Sequence, residues 1–413
     1  MAALVTAGLP AAALDPYVSD WLHLLLRWLH VIAGIAWIGS SFYFVFLDNS
    51  LLPPRDPDHA RKGVAGELWS VHGGGFYHVQ KYRVSPRDLP DPLHFVKWEA
   101  YATWLSGLAL MIVLYYLEAD VALIDRSVAD LGTGTAVAIS VGLLAAAWVV
   151  YDVLCRALGR TELLLGAVVV AGVVLAAWGA GELFSARAAY LQVGAMLGTI
   201  MSANVFFVII PAHKALVRAK QEGREPDPAP LFRAKQRSVH NNYVTLPVVF
   251  TMIAGHFPLT YGHERAWLVL VALMVIGAWV RHFFNLRHGG RTVVSIPVSA
   301  AVALVALAVA IEPPGAPKAE AGSEPVSFAR VQEIVESRCA SCHSSDPTSE
   351  AFTTAPLGVL LETPEQIVAQ ADAIERQAVL STAMPLGNVT GMTQEERNLL
   401  GAWIEQGASA GEP

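Results

Sequence analysis

The chain is short of cysteine and of charge. Three cysteines among 413 residues exclude a disulfide framework. Charged residues make up 15% of the chain and hydrophobic residues 54%, whereas soluble domains average about 25% charged residues. Residues 1–20 contain no lysine or arginine, so no cleavable signal peptide is predicted. The composition predicts an integral membrane protein in contact with lipid, and the net charge of −7 favours no nucleic-acid partner.

Long apolar segments are abundant. A helix needs roughly 20 apolar residues to cross the hydrocarbon core of a bilayer, and eight segments qualify: about 21–47, 96–118, 133–154, 162–184, 188–211, 242–259, 265–285 and 292–311. The 11 tryptophans lie mostly at the ends of these segments, as in the aromatic belts of membrane proteins. The predicted fold is therefore all-α, with a polytopic bundle of about eight transmembrane helices over residues 1–311.

The basic residues of the loops predict the orientation of the bundle. Two long polar loops, 48–95 and 213–241, hold six and seven lysines and arginines. Such loops stay in the cytoplasm. With an even number of helices both termini then lie outside, in the periplasm if the membrane is a bacterial inner membrane.

A separate domain is predicted after the last apolar segment. Residues 312–326 are rich in Pro, Ala and Gly, a composition that forms a flexible linker rather than a core. Residues 327–413 hold 12 acidic residues and 4 arginines, so the net negative charge of the chain lies there. That charge is either a solvated surface or a means of attracting a basic partner.

This C-terminal domain contains a haem-attachment motif. Cys339-Ala-Ser-Cys342-His343 has the form C-x-x-C-H, in which the two thiols bind the haem and the histidine supplies an axial ligand to the iron. A chance pentapeptide and a zinc ligand pair are the alternatives. The predicted location outside the cytoplasm favours one covalent haem c, and thus a monohaem cytochrome c domain.

A methionine is predicted as the second axial ligand of the iron. Met384 precedes Pro385, and Met392 is the alternative. A thioether opposite a histidine raises the reduction potential and suits an electron carrier. Thr393 and Glu396 further predict a capping box at the start of a C-terminal helix that covers the haem.

Polar residues inside the apolar segments are candidates for function because they are costly in lipid. His30 and His256 fall in the outer half of the predicted membrane. Two histidines on facing helices are able to hold a b-type haem as a second cofactor. The alternative is that a neighbouring carbonyl satisfies each histidine.

A larger group of polar residues collects on the inner side. Three glycines at 73–75 allow close approach of the backbone to a ligand, and Lys97 beside Glu99 is either an ion pair or an acid/base pair. Each residue alone is typical of a helix end anchored at the membrane surface, but together they predict a site. Its members are His78, Lys97, Trp98, Glu99, His240, Asn241, Asn242 and Tyr243.

Three strings on this side resemble the membrane-bound, cytochrome c-linked urate oxidase (urate hydroxylase) family. They are Gly73-Gly-Gly-Phe-Tyr-His-Val-Gln-Lys-Tyr82, His94-Phe-Val-Lys-Trp-Glu-Ala-Tyr101 and His240-Asn-Asn-Tyr-Val-Thr-Leu-Pro247. The eight segments and the haem tail match too, so the resemblance covers nearly the whole chain. It implies oxidation of urate to 5-hydroxyisourate in purine degradation. The electrons would pass through the cytochrome domain to a terminal oxidase or a soluble cytochrome of the respiratory chain.

The chemistry of that reaction assigns roles to the inner residues. Urate is a planar anion near neutral pH, and its oxidation with addition of water needs anion pairing, hydrogen bonds to its edges, a stacking ring and a base. Lys97 is predicted to pair the anion, Asn241 and Asn242 to bond the edges, Trp98 or Tyr243 to stack, and Glu99, His78 or His240 to accept the proton. A generic quinol-to-cytochrome electron carrier and a purine transporter with a cytochrome tail are the alternative functions.

Overall fold

The computed structural model describes residues 16–312, 325–349, 352 and 354–411, and its fold is mostly helical. Most of the predicted linker lies outside these residues. The helices are α1 (Pro16–Ser50), α2 (Pro57–Arg61), α3 (Trp98–Met111), α4 (Ala119–Ala122), α5 (Thr133–Leu158), α6 (Glu162–Gly181), α7 (Ala186–Ala203), α8 (Ile210–Gln221), α9 (Pro228–Ala254), α10 (Pro258–Tyr261), α11 (Ala266–His288), α12 (Ser295–Ala310), α13 (Phe328–Arg338), α14 (Pro364–Ala369), α15 (Ala371–Ile374) and α16 (Gln394–Glu405). π-Helical turns at Ile112–Tyr116 and Asn204–Ile209 extend α3 and join α7 to α8.

Helices form at all eight of the predicted apolar segments. Within the described residues, five helical stretches are long and apolar enough to cross a membrane: Tyr17–Ser50, Thr133–Leu158, Glu162–Gly181, Ala186–Gln221 and Ala266–His288. Ser295–Ala310 is apolar but shorter. Several of the helices are therefore able to span a bilayer, whereas the other predicted spans fall on helices that are shorter, α3 and α12, or more polar, α9.

The second predicted polar loop, 213–241, is largely helical. α8 continues to Gln221, and α9 begins at Pro228. The Asp227 side chain accepts a hydrogen bond from the backbone N–H of Ala229 at 3.0 Å, and proline at the first position of a helix has no N–H to leave unpaired. The prediction of a long loop here was wrong because a basic, polar helix extends the apolar one.

The first polar loop contains a β-hairpin that the sequence analysis did not predict. β1 (Val64–His72) pairs antiparallel with β2 (Gly75–Tyr82). Gly73 and Gly74 form the turn with φ of +57° and +80°, a conformation that glycine adopts without steric cost. These glycines therefore close a hairpin, and within the described residues no atom lies within 4 Å of a Cβ built on either of them.

The bundle is packed around α7. Gly194 on α7 faces α9 so closely that a Cβ there would lie 1.9 Å from Thr251 Oγ1; small residues at such positions let helices approach in membrane proteins. Tyr190 on the same helix donates a hydrogen bond to the Ala266 carbonyl at 2.7 Å. These contacts fix α7, α9 and α11 as a unit, and this unit carries the polar residues described below.

The C-terminal domain has its own core. α13 packs against α16 through Val331, Val335, Leu400 and Trp403, all of which are buried. The predicted capping box is confirmed: the Thr393 hydroxyl accepts from the Glu396 N–H, and the Glu396 carboxylate accepts from the Thr393 N–H. Capping of this kind stabilises the start of α16.

Candidate functional site

Four predicted site residues are consecutive on α9 and divide between two polar clusters. Asn241 and Asn242 are buried, while His240 and Tyr243 are half-buried. Consecutive helical residues point about 100° apart, so neighbouring side chains reach different helices. One cluster faces α5 and the α7–α8 turn, and the other faces α11.

The first cluster joins α9 to α5 and to the π-helical turn after α7. His240 Nδ1 lies 2.7 Å from the hydroxyl of Tyr151. Asn204 donates to Asn241 Oδ1 at 2.8 Å, and Asn241 donates in turn to the Met201 carbonyl at 3.0 Å. Asn204 also donates to the Tyr151 hydroxyl at 3.3 Å, so the four side chains form one network, in which the imidazole and the phenol are able to exchange a proton.

The second cluster is centred on Arg281 of α11. This side chain is only 3% exposed. Its Nε donates to Asn242 Oδ1 at 2.5 Å, and Asn242 donates to Asn285 Oδ1 at 3.0 Å. The guanidinium carbon lies 3.7 Å from the centre of the Phe42 ring. Among the described residues Arg281 makes no ion pair, and its Nη2 has no hydrogen-bond partner.

A nearby arginine shows the usual arrangement by contrast. Arg237 is also buried, but it donates to the Asp152 carboxylate at 2.7 Å and lies over the Tyr151 ring. A buried charge is costly unless an opposite charge pairs with it. Arg281 is therefore a buried cation whose arrangement suits an anionic ligand. Sequence reasoning missed it, although an arginine inside an apolar segment was itself a signal.

The structure does not bring the Lys97–Glu99 segment into either cluster. Trp98 is 69% exposed, and the Lys97 ammonium lies 5.4 Å from its ring centre. Glu99 Oε2 is buried without a hydrogen-bond partner among the described residues. Of the two alternatives predicted for Lys97 and Glu99, the ion pair is not formed among the described residues, and Trp98 is too exposed to stack on a buried ligand.

His78 lies on β2, apart from both clusters. Its Nε2 is 3.0 Å from the Glu67 carboxylate, which also faces His59. The backbone N–H of Arg55 and the two imidazoles hydrogen-bond to this carboxylate and lower the pKa of Glu67 to about 2. His78 therefore belongs to a third polar group, on the hairpin.

The two histidines considered for a b-type haem differ in their surroundings. His30 Nδ1 lies 3.0 Å from both the Thr103 carbonyl and the Ser106 hydroxyl of α3, with Gly107 directly against the ring. His256 follows α9 and is exposed. Among the described residues no contact joins the two rings. His30 is instead hydrogen-bonded by neighbouring groups, as the alternative interpretation predicts, and its Nε2 makes no hydrogen bond to any described residue.

The C-x-x-C-H motif forms one tight turn after α13. The N–H groups of Cys342 and His343 both donate to the Cys339 carbonyl, at 3.1 and 3.0 Å. His343 Nδ1 lies 3.0 Å from the Val359 carbonyl. A carbonyl only accepts hydrogen bonds, so Nδ1 carries the proton and Nε2 presents its lone pair. Neither cysteine is in a disulfide, so this turn fits the ligand set that covalent haem c requires.

The two candidate methionines occupy different positions. Met384 is half-buried at the edge of the domain core, and Met392 is buried inside it. Arg397 of α16 donates to the Met384 carbonyl at 2.8 Å and to the Ala378 carbonyl at 2.6 Å. Arg397 thus holds the backbone on which Met384 lies. This position favours Met384 as the ligand, with Met392 serving as a core residue.

The segment around Met384 also contacts the helical bundle. Gly387, with φ of +58°, lies so close to α4 that a Cβ there would be 2.7 Å from the Ile124 carbonyl and 2.8 Å from that of Val121. Ser381 lies against Gly262, which follows α10, and Ala383 is part of the core of the bundle. The methionine loop therefore docks on the end of the bundle formed by α4 and α10.

Alanine at Gly387 is expected to loosen this docking. The added Cβ would collide with two backbone carbonyls, which have little freedom to move. Hydrogen exchange at residues 119–124 should become faster in G387A. Gly358 is the matched control, because it has a φ of +68° but nothing within 4 Å of its Cβ position. Equal protection of residues 119–124 in G387A and G358A would contradict the docking.

A further arginine lies next to α10, the helix on which this loop docks. Arg187 of α7 interacts with Tyr115 and Tyr261, and its Nε would be 3.1 Å from a Cβ at Gly255. Among the described residues this Nε has no hydrogen-bond partner. The bundle therefore has an arginine inside it toward each end, and Arg281 has the deeper burial and the flanking amides.

Comparison with known proteins adds one finding. A protein-family model described as urate oxidase N-terminal matches residues 16–312. These residues contain the hairpin, both α9 clusters and the cluster at Arg187. No curated protein and no solved structure matches the chain.

Proposed function

The chain belongs to the urate oxidase N-terminal family, and on that basis we propose that it is a membrane-bound oxidoreductase that converts urate to 5-hydroxyisourate. Its electrons pass to its own C-terminal domain, and from there to a terminal oxidase or a soluble cytochrome. The single observation that carries this proposal is Arg281, a buried guanidinium with no counter-ion among the described residues and with an amide on each of two neighbouring helices.

Urate binding follows from this cluster. The negative charge of the urate monoanion would pair with Arg281, which has no counter-ion among the described residues. A guanidinium also donates two parallel hydrogen bonds to a planar acceptor. Asn242 and Asn285 are able to bond the amide edges of the purine. Of the rings nearby, Phe42 already lies over the guanidinium. Tyr243 hydrogen-bonds to His282, whose ring stacks on Trp279. Arg281 thus takes the anion-pairing role that the sequence assigned to Lys97.

Proton transfer is assigned to the neighbouring cluster. The urate monoanion and one water, whose OH adds at C5, together give 5-hydroxyisourate, two electrons and one proton. His240 is the base that accepts a proton, and the Tyr151 hydroxyl, 2.7 Å from it, orients the ring. The half-buried position of His240 allows the proton to leave toward solvent.

The electrons need an acceptor, and we propose haem c for this role. Cys339 and Cys342 would attach it, with His343 and Met384 as the iron ligands. When bound, this group accepts one electron at a time. The chain's own contribution is to fix the His343 tautomer through Val359 and to hold the Met384 loop through Arg397.

We also propose that eight helices span the membrane, with the C-terminal domain outside. Asp48 at the end of α1 lies 2.5 Å from both Lys81 and Lys235, which supports one cytoplasmic end that contains both basic segments. The docking of the C-terminal domain on α4 and α10 supports a location at the opposite end.

The reaction is tested with the full-length protein in detergent, urate and oxidised cytochrome c, in the absence of oxygen. We expect formation of 5-hydroxyisourate with two cytochromes reduced per urate. A quinol-to-cytochrome carrier would instead reduce cytochrome with quinol and not with urate. A transporter would carry urate unchanged into sealed vesicles. Either result would contradict the proposed function.

A further inference from the structure

The hairpin carries three metal-ligating side chains that the proposed reaction does not use. His59, Glu67 and His78 each offer one donor atom, and these atoms all lie within 4.8 Å of one another. They come from α2, β1 and β2 respectively. The group belongs to none of the clusters described for the substrate or for the haem.

The local structure explains how the three residues meet. Glu67 pairs with Gln80 across the hairpin, and Trp69 pairs with His78. Residues two apart on a strand share a face, so Glu67 and His78 lie on the same face of the sheet. His59 arrives from α2, which is capped by Asp56. Three separate elements thus converge on one point.

The spacing of the donor atoms fits a coordination shell. His59 Nδ1 and His78 Nε2 each lie 3.0 Å from Glu67 Oε2. Metal–ligand bonds of about 2.0–2.2 Å place neighbouring donor atoms about 3 Å apart. Two imidazoles and one carboxylate are ligands that suit zinc and other divalent transition metals, with further positions left to water.

The groups behind the ligands hold them in place. Glu67 is only 4% exposed, and its other oxygen accepts from the Arg55 N–H at 2.9 Å. Its backbone pairs with Leu52, just beyond α1. The His78 ring stacks on Trp69 at 4.1 Å between centroids. Such supporting contacts orient ligands in metal sites.

Solvent reaches the group. The His59 and His78 side chains are 24% and 21% exposed, whereas Glu67 is buried beneath them. The side-chain amide of Gln80 lies 3.1 Å from His59 Nδ1, so a fourth polar group stands at the edge of the cluster. An ion therefore has an entry path from solvent.

We propose that His59, Glu67 and His78 bind a divalent transition-metal ion, which links the hairpin to α2 at the inner end of α1. This site is independent of the proposed oxidation of urate. A metal-free cluster, in which the carboxylate only accepts hydrogen bonds from the two imidazoles, is the alternative that the experiment excludes or confirms.

Zinc is the probe for this site. Full-length, haem-loaded protein in detergent is stripped with EDTA and titrated with Zn²⁺ against a competing chelator. We expect one zinc per chain, and an affinity at least about tenfold lower in H59A and E67Q. H72A is the matched control, because His72 is exposed at the end of the same strand and should bind zinc like the wild type.

Hydrogen exchange provides a second readout, and its wild-type arm does not depend on the folding of any variant. Zn²⁺ should slow exchange at residues 64–82 in the wild type and in H72A, and not in H59A. Zinc binding no tighter in the wild type than in E67Q, or an equal loss in H72A, would overturn the proposal. So would unchanged exchange in the wild type on addition of zinc.

Discussion

Replacement of Arg281 with glutamine is expected to lower kcat/KM for urate by about 100-fold. Loss of one member of a buried charge pair costs about 2–5 kcal/mol, and about 1.4 kcal/mol corresponds to a factor of ten. The glutamine keeps a donor near Asn242 but carries no charge for the anion. Anaerobic urate consumption with oxidised cytochrome c measures the effect.

Two further variants control this result. R281K retains the charge without the planar fork of donors, so we expect an activity between those of the wild type and R281Q. R187Q removes the cation from the opposite end of the bundle and should leave urate oxidation nearly unchanged. Loss of activity in R187Q together with full activity in R281Q would place the substrate beneath the docked C-terminal domain instead.

Replacement of Cys339 with alanine is expected to abolish the transfer of electrons from urate to cytochrome c. One of the two thiols that attach the haem is then missing, so the haem is no longer held from both sides during attachment, and less of it becomes covalently bound. Haem that stays with the chain after denaturation measures the attachment. We expect a large decrease in this amount.

Cys155 is the matched control for that variant. It is buried in α5, far along the chain from the C-x-x-C-H motif, and C155A should retain its covalent haem. Covalent haem and full turnover in C339A would contradict the assignment of the motif. Equal loss in C155A would point to a general failure of the bundle to fold.

Much of the fold could be predicted because the signals are local. Each apolar segment contains its own evidence of length and hydropathy, and helices form at all eight. The capping box of Thr393 and Glu396 was likewise predicted from a spacing of three residues, and the structure confirms it. The turn at Cys339 follows from its motif in the same way.

The arrangement of the candidate site could not be predicted from such signals. The sequence indicates that Glu99 and Asn242 lie near the same surface, but it does not show which helices face each other. α9 turns Asn242 toward Arg281, while Glu99 Oε2 makes no hydrogen bond to either residue among those described. Gly73 and Gly74 show a related ambiguity, since glycine serves both close ligand approach and tight turns, and the sequence did not predict the turn that they form.

The positions of the two clusters bear on the route of the electrons. The Arg281 cluster and the docked methionine loop lie toward opposite ends of the bundle, and the hydrocarbon layer between such ends is about 30 Å thick. An intermediate carrier such as a b-type haem would shorten this distance. His30 is the candidate ligand for it, because its Nε2 lies beside Gly107 and makes no hydrogen bond to any described residue. A pyridine haemochrome spectrum of active protein that contains only c-type haem would exclude that carrier.

The central claim is that urate is the electron donor to the C-terminal domain of the same chain. Its most direct test is anaerobic addition of urate to the oxidised, full-length protein while the haem absorption bands are recorded. We predict reduction of the haem, with two chains reduced per urate because urate gives up two electrons and each haem c takes one. Absorption bands that stay those of the oxidised haem in the presence of excess urate would contradict the claim.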